Sequence, residues 1–232
     1  MMTKLFFNMY NHILTSIIGS HPNIQDAFRY YESDDKIIAV IADGLGSRKK
    51  SADGARLICK LFVEELQCKN LPQESSDIVS PELWYNTLQQ QKCNIDDYCT
   101  TCSFTIIDKL NKQVCIGQIG DSPIFIKVDN SSVIEMRQEK DFSNITDCLG
   151  PSGIKKFSIH TYTYQCNVNV LVTSDGIGDE LDSSSLAPLF QYLSSKYGSF
   201  SRKSRSRRFT KEIKSTIGKV NHDDKSAIYI WK

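Results

Sequence analysis

The sequence predicts an α+β protein in which antiparallel sheets carry helices on their outer faces. Three observations lead there. Short apolar runs rich in Val, Ile, Phe and Tyr recur along the chain, mostly adjacent to one another. Segments with helical periodicity fall between them in pairs, which argues against regular βαβ alternation. The composition, 40% hydrophobic and 24% charged over 232 residues, supports a core of ordinary size.

Taken in chain order, residues 37–42 form a continuous apolar run and end on Asp43-Gly44. Residues 52–67, "ADGARLICKLFVEELQ", set Ala55, Ile58, Cys59, Phe62 and Leu66 along one helical face. A second helix over 81–91 opens with Ser80-Pro81-Glu82, a serine cap with proline in the first turn. Strands follow at 104–107, 114–119 and 124–128, and "VCIGQIGDSPIFIKV" reads as two strands joined at a turn over 120–123. A further strand, 168–173, runs into Asp175-Gly176. Two helices, 186–197 and 209–217, precede the closing strand at 227–231. The sharpest local change of composition is "SRKSRSRR", 201–208, expected as an exposed connection. No fixed-period repeat or low-complexity linker interrupts the chain, so one domain over 1–232 is expected.

The totals exclude several classes. A net charge of +1 gives no general pull toward nucleic acid or an anionic membrane, and neither is expected as a partner. No run approaches the ~18 apolar residues that would span a bilayer. The apolar start is interrupted by Asn8, Asn11 and His12, without an obvious signal-cleavage site. The eight cysteines are therefore read as free thiols of a reducing compartment, and the protein as cytoplasmic. Cys99-x-x-Cys102 lacks a second Cys-x-x-Cys and reads as buried structural thiols; Trp84 and Tyr85 read as helix packing.

Aspartates recur where apolar runs end: Asp26 in "NIQDAF", Asp43 in "IADGLG", Asp121 in "IGDSPI", Asp175 in "TSDGIG", and Asp223-Asp224 in "NHDDKSAI". A single Asp-Gly is most simply a turn. Five such acids behind or beside strands would meet if the strand ends share a rim. Two carboxylates ~4 Å apart repel by roughly 4 kcal/mol at an effective dielectric of ~20. Such a cluster must either hold protons or bind cations. Hard divalent ions such as Mg²⁺ or Mn²⁺ suit oxygen ligands, and the four scattered histidines disfavour a zinc site.

This ordered set resembles the metal-dependent serine/threonine phosphatases of the protein phosphatase 2C family, and "SIIGSHPNIQDAF" is similar to its bacterial branch. "QDAF" resembles the first acidic motif, "VIADGLGS" the Asp-Gly-x-Gly motif and "CTTCSFTII" the Gly-Thr-Thr strand. "IGQIGDSPIFI" resembles the Gly-Asp-Ser hairpin, "LVTSDGIGDEL" the Ser-Asp-Gly motif and "HDDKSAIYI" the closing strand. The resemblance implies a four-layer αββα sandwich, with two central antiparallel sheets flanked by helix pairs and metal ions at one end. By motif position, Asp43, Asp175 and Asp223 would hold a first Mn²⁺ or Mg²⁺. Asp43 and the Gly44 carbonyl, with Asp26, would hold a second, and Asp121 with Asp175 a weaker third. Asp224 stands where many relatives carry Asn and ranks below Asp223.

The implied activity is hydrolysis of phosphoserine or phosphothreonine in a protein, by attack of water bridging two metal ions. A cognate serine/threonine kinase on another chain is an implied partner. The sequence departs from the pattern at Gln25, where relatives carry Glu, at Leu45, where many carry His, and in having no arginine before Arg29. His21 in "GSHPNIQD" is read as a substitute phosphate contact or proton donor; the alternative is an ordinary loop histidine. A non-catalytic phosphatase-like binding or regulatory module on the same fold is the competing reading.

Overall fold

The computed structural model describes residues 9–138 and 147–232; the apolar opening residues 1–8 lie outside them. Among the described residues, ten strands form two antiparallel sheets. One has the order β1 (Asn11–Ile17), β10 (Lys225–Trp231), β9 (Val168–Thr173), β6 (Ile124–Val128), β7 (Ile134–Met136). The other has the order β2 (Ala27–Glu32), β3 (Lys36–Ala42), β4 (Cys102–Asp108), β5 (Gln113–Ile119), β8 (Ser158–Thr163). Helices α1 (Ser51–Leu66) and α2 (Ser80–Gln90) cover the β3 sheet, and α4 (Leu186–Tyr197) and α5 (Arg202–Ser215) cover the β10 sheet. A single helical turn, α3 (Asp175–Gly178), follows β9. This is the expected α+β sandwich of four layers, αββα.

Alternation along the central strands explains why they read as continuous apolar runs. Ile37, Ala39 and Ile41 of β3 face the other sheet, while Ile38, Val40 and Ala42 face α1 and α2. Likewise Ile228 and Ile230 of β10 fill the inter-sheet core, and Ala227, Tyr229 and Trp231 pack under α4 and α5. A strand covered on both faces has no solvent side to mark with polar residues. The edge and half-covered strands β1, β2, β7 and β8 mix polar with apolar positions, and none of the four is marked by an apolar run.

Two expectations are corrected. The turn over 120–123 does not close a hairpin: β5 pairs with β4 and β8, β6 pairs with β9 and β7, and the turn carries the chain from one sheet to the other. The basic run 201–208 is not a connection but the first two turns of α5. Its helical face is anchored by Arg205, which is buried, donates to the Phe200 carbonyl and to Asn11 Oδ1, and lies over the Trp231 ring. Trp84 is core, donating to the Gly54 carbonyl at 3.0 Å. All eight cysteines are free thiols.

Candidate active site

Strand register places the five acids. Ala27 at the start of β2 pairs with Ala42 at the end of β3, so Asp26 and Asp43 flank one point of the rim. Cys102 pairs with Ile119, which puts the turn carrying Asp121 at the same end as the start of β4. In the other sheet, Thr173 at the end of β9 pairs with Ala227, and Ile17 at the end of β1 pairs with Lys225. Asp175 and Asp223 therefore project from that same end. A cleft of about 180 Å³ opens there, lined among others by His21, Gly44, Asp43, Asp121, Asp175 and Asp223. A larger cavity, about 490 Å³, lies beside it against Gln118, Arg137, Lys155 and His160, but the carboxylates do not line it.

Local chemistry fixes each acid. The Asp43 amide donates to Thr101 Oγ1 and the Thr100 hydroxyl donates to the Asp43 carbonyl, so the Thr-Thr pair before β4 clamps this residue. Thr101 Oγ1 also meets Ser122 Oγ at 2.9 Å, linking the Asp43 and Asp121 turns. Gly44 is needed for space, since a Cβ there would lie 2.7 Å from the Ser51 backbone. At Gly176 a Cβ would lie 2.1 Å from the Asp224 carbonyl oxygen. Arg137 donates to the Gly178 carbonyl and pairs with Asp179, holding the turn that Asp175 begins.

The electrostatics match a crowded anionic rim. Asp26 is buried beside Ser174, Ser226 and Asp43, and its carboxylate makes no hydrogen bond of ordinary geometry to them. Burial, reinforced by Asp224, pushes Asp26 up to about 7. Asp43 is driven well above the usual carboxylate range by burial and by the Asp26 and Asp175 carboxylates against it. Asp175 is raised by burial and by Asp121 and Asp223. Among the described residues, no three metal-ligating side chains are already closed around one point. The carboxylates lie instead in a chain, Asp26 against Asp43 and Asp43 against Asp175. A buried carboxylate without a well-formed hydrogen bond, in a row with other carboxylates, fits hard divalent cations, which would replace the shared protons.

Three residues brace the rim: Asp224, which the sequence ranks below Asp223, and Lys225 and Asn221, which carry no sequence signal as site residues. Asp224 lines the cleft, but its carboxylate is engaged by backbone: it accepts from the amides of Gly19 at 2.6 Å, Gln25 at 2.5 Å and Asp26 at 3.4 Å. It thereby pins the 19–26 loop to β10. Lys225 is buried, with Nζ donating to the carbonyls of Asn221 and Asp223 and to Asn221 Oδ1. Asn221 in turn donates to the Gly176 carbonyl, coupling the Asp175 and Asp223 loops. Only their closeness to Asp223 in the chain could have pointed to Asn221 and Lys225. His21 is exposed at the mouth of the cleft, its Nε2 3.7 Å from where a Gly46 Cβ would sit. Gln25 donates to Ser51 Oγ, and its Oε1 lies 3.6 Å from the same Gly46 point.

A family profile described as Protein phosphatase 2C matches residues 15–211. The chain belongs to the protein phosphatase 2C family. Members of this family are phosphoprotein phosphatases. No curated protein sequence matches it. Solved structures share its fold at low identity. A bacterial serine phosphatase is 16% identical over 96% of this chain and 98% of its own, with a TM-score of 0.70. The Mycobacterium tuberculosis serine/threonine phosphatase PstP/Ppp is 11% identical over 95% and 97%, with a TM-score of 0.68. RsbX, solved in complex with magnesium, is 15% identical over 96% and 94%, with a TM-score of 0.64.

Proposed function

We propose that this family member is a divalent-metal-dependent phosphatase acting on phosphoserine or phosphothreonine in proteins. The observation that carries it is the gathering of Asp43, Asp121, Asp175 and Asp223 in one cleft, with Asp26 buried against Asp43. Asp43, Asp175 and Asp223 would hold one Mn²⁺ or Mg²⁺. Asp26, Asp43 and the Gly44 carbonyl would hold a second, and Asp121 with Asp175 a third. When bound, these ions would supply activation of water and neutralisation of the phosphoryl oxygens.

The chain's own groups do the rest. His21 Nε2, at the mouth, can contact the phosphate or protonate the departing serine or threonine oxygen. Gln25 Oε1 orients polar groups entering beside Gly46. No protein nucleophile is required. Burial, with Cys148 nearby, pushes the Cys99 thiol up to about 11, and burial does the same to Cys115, so neither is a thiolate at neutral pH. We place the protein in the cytoplasm, acting on substrates phosphorylated by a kinase on another chain; its eight cysteines, all free thiols, suit a reducing compartment.

One observation favours a second reading, a non-catalytic module on the same fold. Among the described residues, no arginine lines the cleft to hold a phosphate. Hydrolysis of p-nitrophenyl phosphate with Mn²⁺ or Mg²⁺, abolished by EDTA and by Asp175→Ala, is the expected result. Calorimetric Mn²⁺ binding without any turnover would establish the second reading instead.

A further inference from the structure

The basic run that the site leaves unused becomes a directional feature once it is a helix. Lys203, Arg207, Lys211 and Lys214 are exposed and spaced i, i+4, i+8, i+11, a single stripe along α5. No described carboxylate pairs with any of them; Glu212 is held by Lys196, and Glu32 by Arg202 and Lys109. The helix runs alongside β1, from Arg205 against Asn11 at the far end, through Ser206 against Leu14 and Thr210 against Thr15, toward the rim where β1 ends. Lys214 and then Lys219 thus lead to the loop that carries Asp223.

We propose that this stripe docks an acidic, extended segment of the phosphoprotein substrate and leads it to the carboxylate rim; this rests on the phosphatase reading above. Eleven residues of helix span ~17 Å. Five residues of extended chain cover the same length, and its alternate side chains, ~6.6 Å apart, match the ~6 Å between cations four residues apart. A short acidic segment is favoured over a long polyanion by charge. Helix α5 holds seven Lys and Arg and one acid, while the chain as a whole is only +1, so the surface beyond the helix is net negative and repels a continuing polyanion. A membrane is disfavoured because the apolar residues of α5, Phe209 and Ile213, are already in the core.

The test uses the full chain with Mn²⁺ at low and at 0.3 M salt. Substrates are phosphoserine peptides with five acidic residues on the N-terminal side, on the C-terminal side, or replaced by Ser and Gly. An acidic flank should lower KM about tenfold, with kcat little changed and the gain lost at high salt, as four partly screened pairs would give. The preference should vanish in Lys203→Glu/Arg207→Glu/Lys211→Glu/Lys214→Glu and weaken in the corresponding Gln variant, which guards against misfolding. An undiminished preference in both variants, or none in the natural chain, overturns the proposal. So does tighter binding of a 20-base-pair RNA duplex than of the acidic peptides in fluorescence anisotropy. If no peptide and no p-nitrophenyl phosphate is hydrolysed, but anisotropy still shows stripe-dependent binding of the acidic peptides, docking stands and the catalytic reading fails.

Discussion

At the scale of single residues, the site separates groups that face the cleft from groups that aim them. Asp43 and Asp175 meet each other's carboxylates at the centre of the rim, so Asp43→Asn and Asp175→Asn should each lower phosphatase activity ~10²-fold or more with the melting temperature kept or raised. A large loss of stability in the metal-free protein would contradict the repulsion described here. Asp224 behaves oppositely. Its removal strands the amides of Gly19, Gln25 and Asp26, so Asp224→Ala should cost about 3 kcal/mol in denaturant unfolding, and Asp224→Asn, which keeps one acceptor, clearly less. Equal costs would show that the carboxylate does not act through those amides. The aspartates themselves were legible because each ends or borders an apolar run. The resemblance ranked Asp224 below Asp223, but its grip on three backbone amides was not legible, since those partners lie 198–205 residues away in the chain.

At the scale of elements, the well-buried segments were readable and the partly exposed ones were not. The 186–197 helix coincides with α4, and the strand at 124–128 with β6, because covered faces select apolar residues at a fixed period. β1 buries the polar His12 and Thr15, and β2 is only partly covered, so neither leaves such a period. Propensity alone also misjudges Gly54 within α1. Alanine is the better helix former by about 1 kcal/mol, yet a Cβ at Gly54 would lie 1.9 Å from the Tyr98 carbonyl oxygen. Gly54→Ala should therefore destabilise by about 2 kcal/mol, read by urea unfolding, despite the propensity gain. The start of α5 is the mirror case. Its basic residues suggest a solvated connection, and the buried Arg205, bonded to Phe200 and Asn11, turns the segment into a packed helix.

At the scale of the molecule, folding itself concentrates negative charge, and this gives a pH signature. Asp26 holds its proton up to about pH 7 in the folded chain but releases it near 3.8 when unfolded. Between those values the folded state binds more protons, so stability falls as pH rises. The Asp26 contribution is therefore read as the gain in melting temperature from EDTA to saturating Mn²⁺, which should widen by several degrees from pH 5 to pH 7. His12, lowered to about 4 by burial and Arg202, contributes the opposite slope, but equally with and without metal, so it cancels in the comparison. A gain that is the same at both pH values would mean that the rim is neither strained by its charge nor relieved of that strain by cations.

The sequence by itself determined the covered strands and helices, the α+β class and the order of strand-end acids that resembles one phosphatase family. Burial and short-range turn chemistry write those features locally. Only the tertiary structure decided that β5 and β6 lie in different sheets and that Asp224 and Lys225 brace the site. It also decided that a run of arginines and lysines becomes a stripe leading to the rim. These depend on register and on partners tens to hundreds of residues away, which no local pattern records.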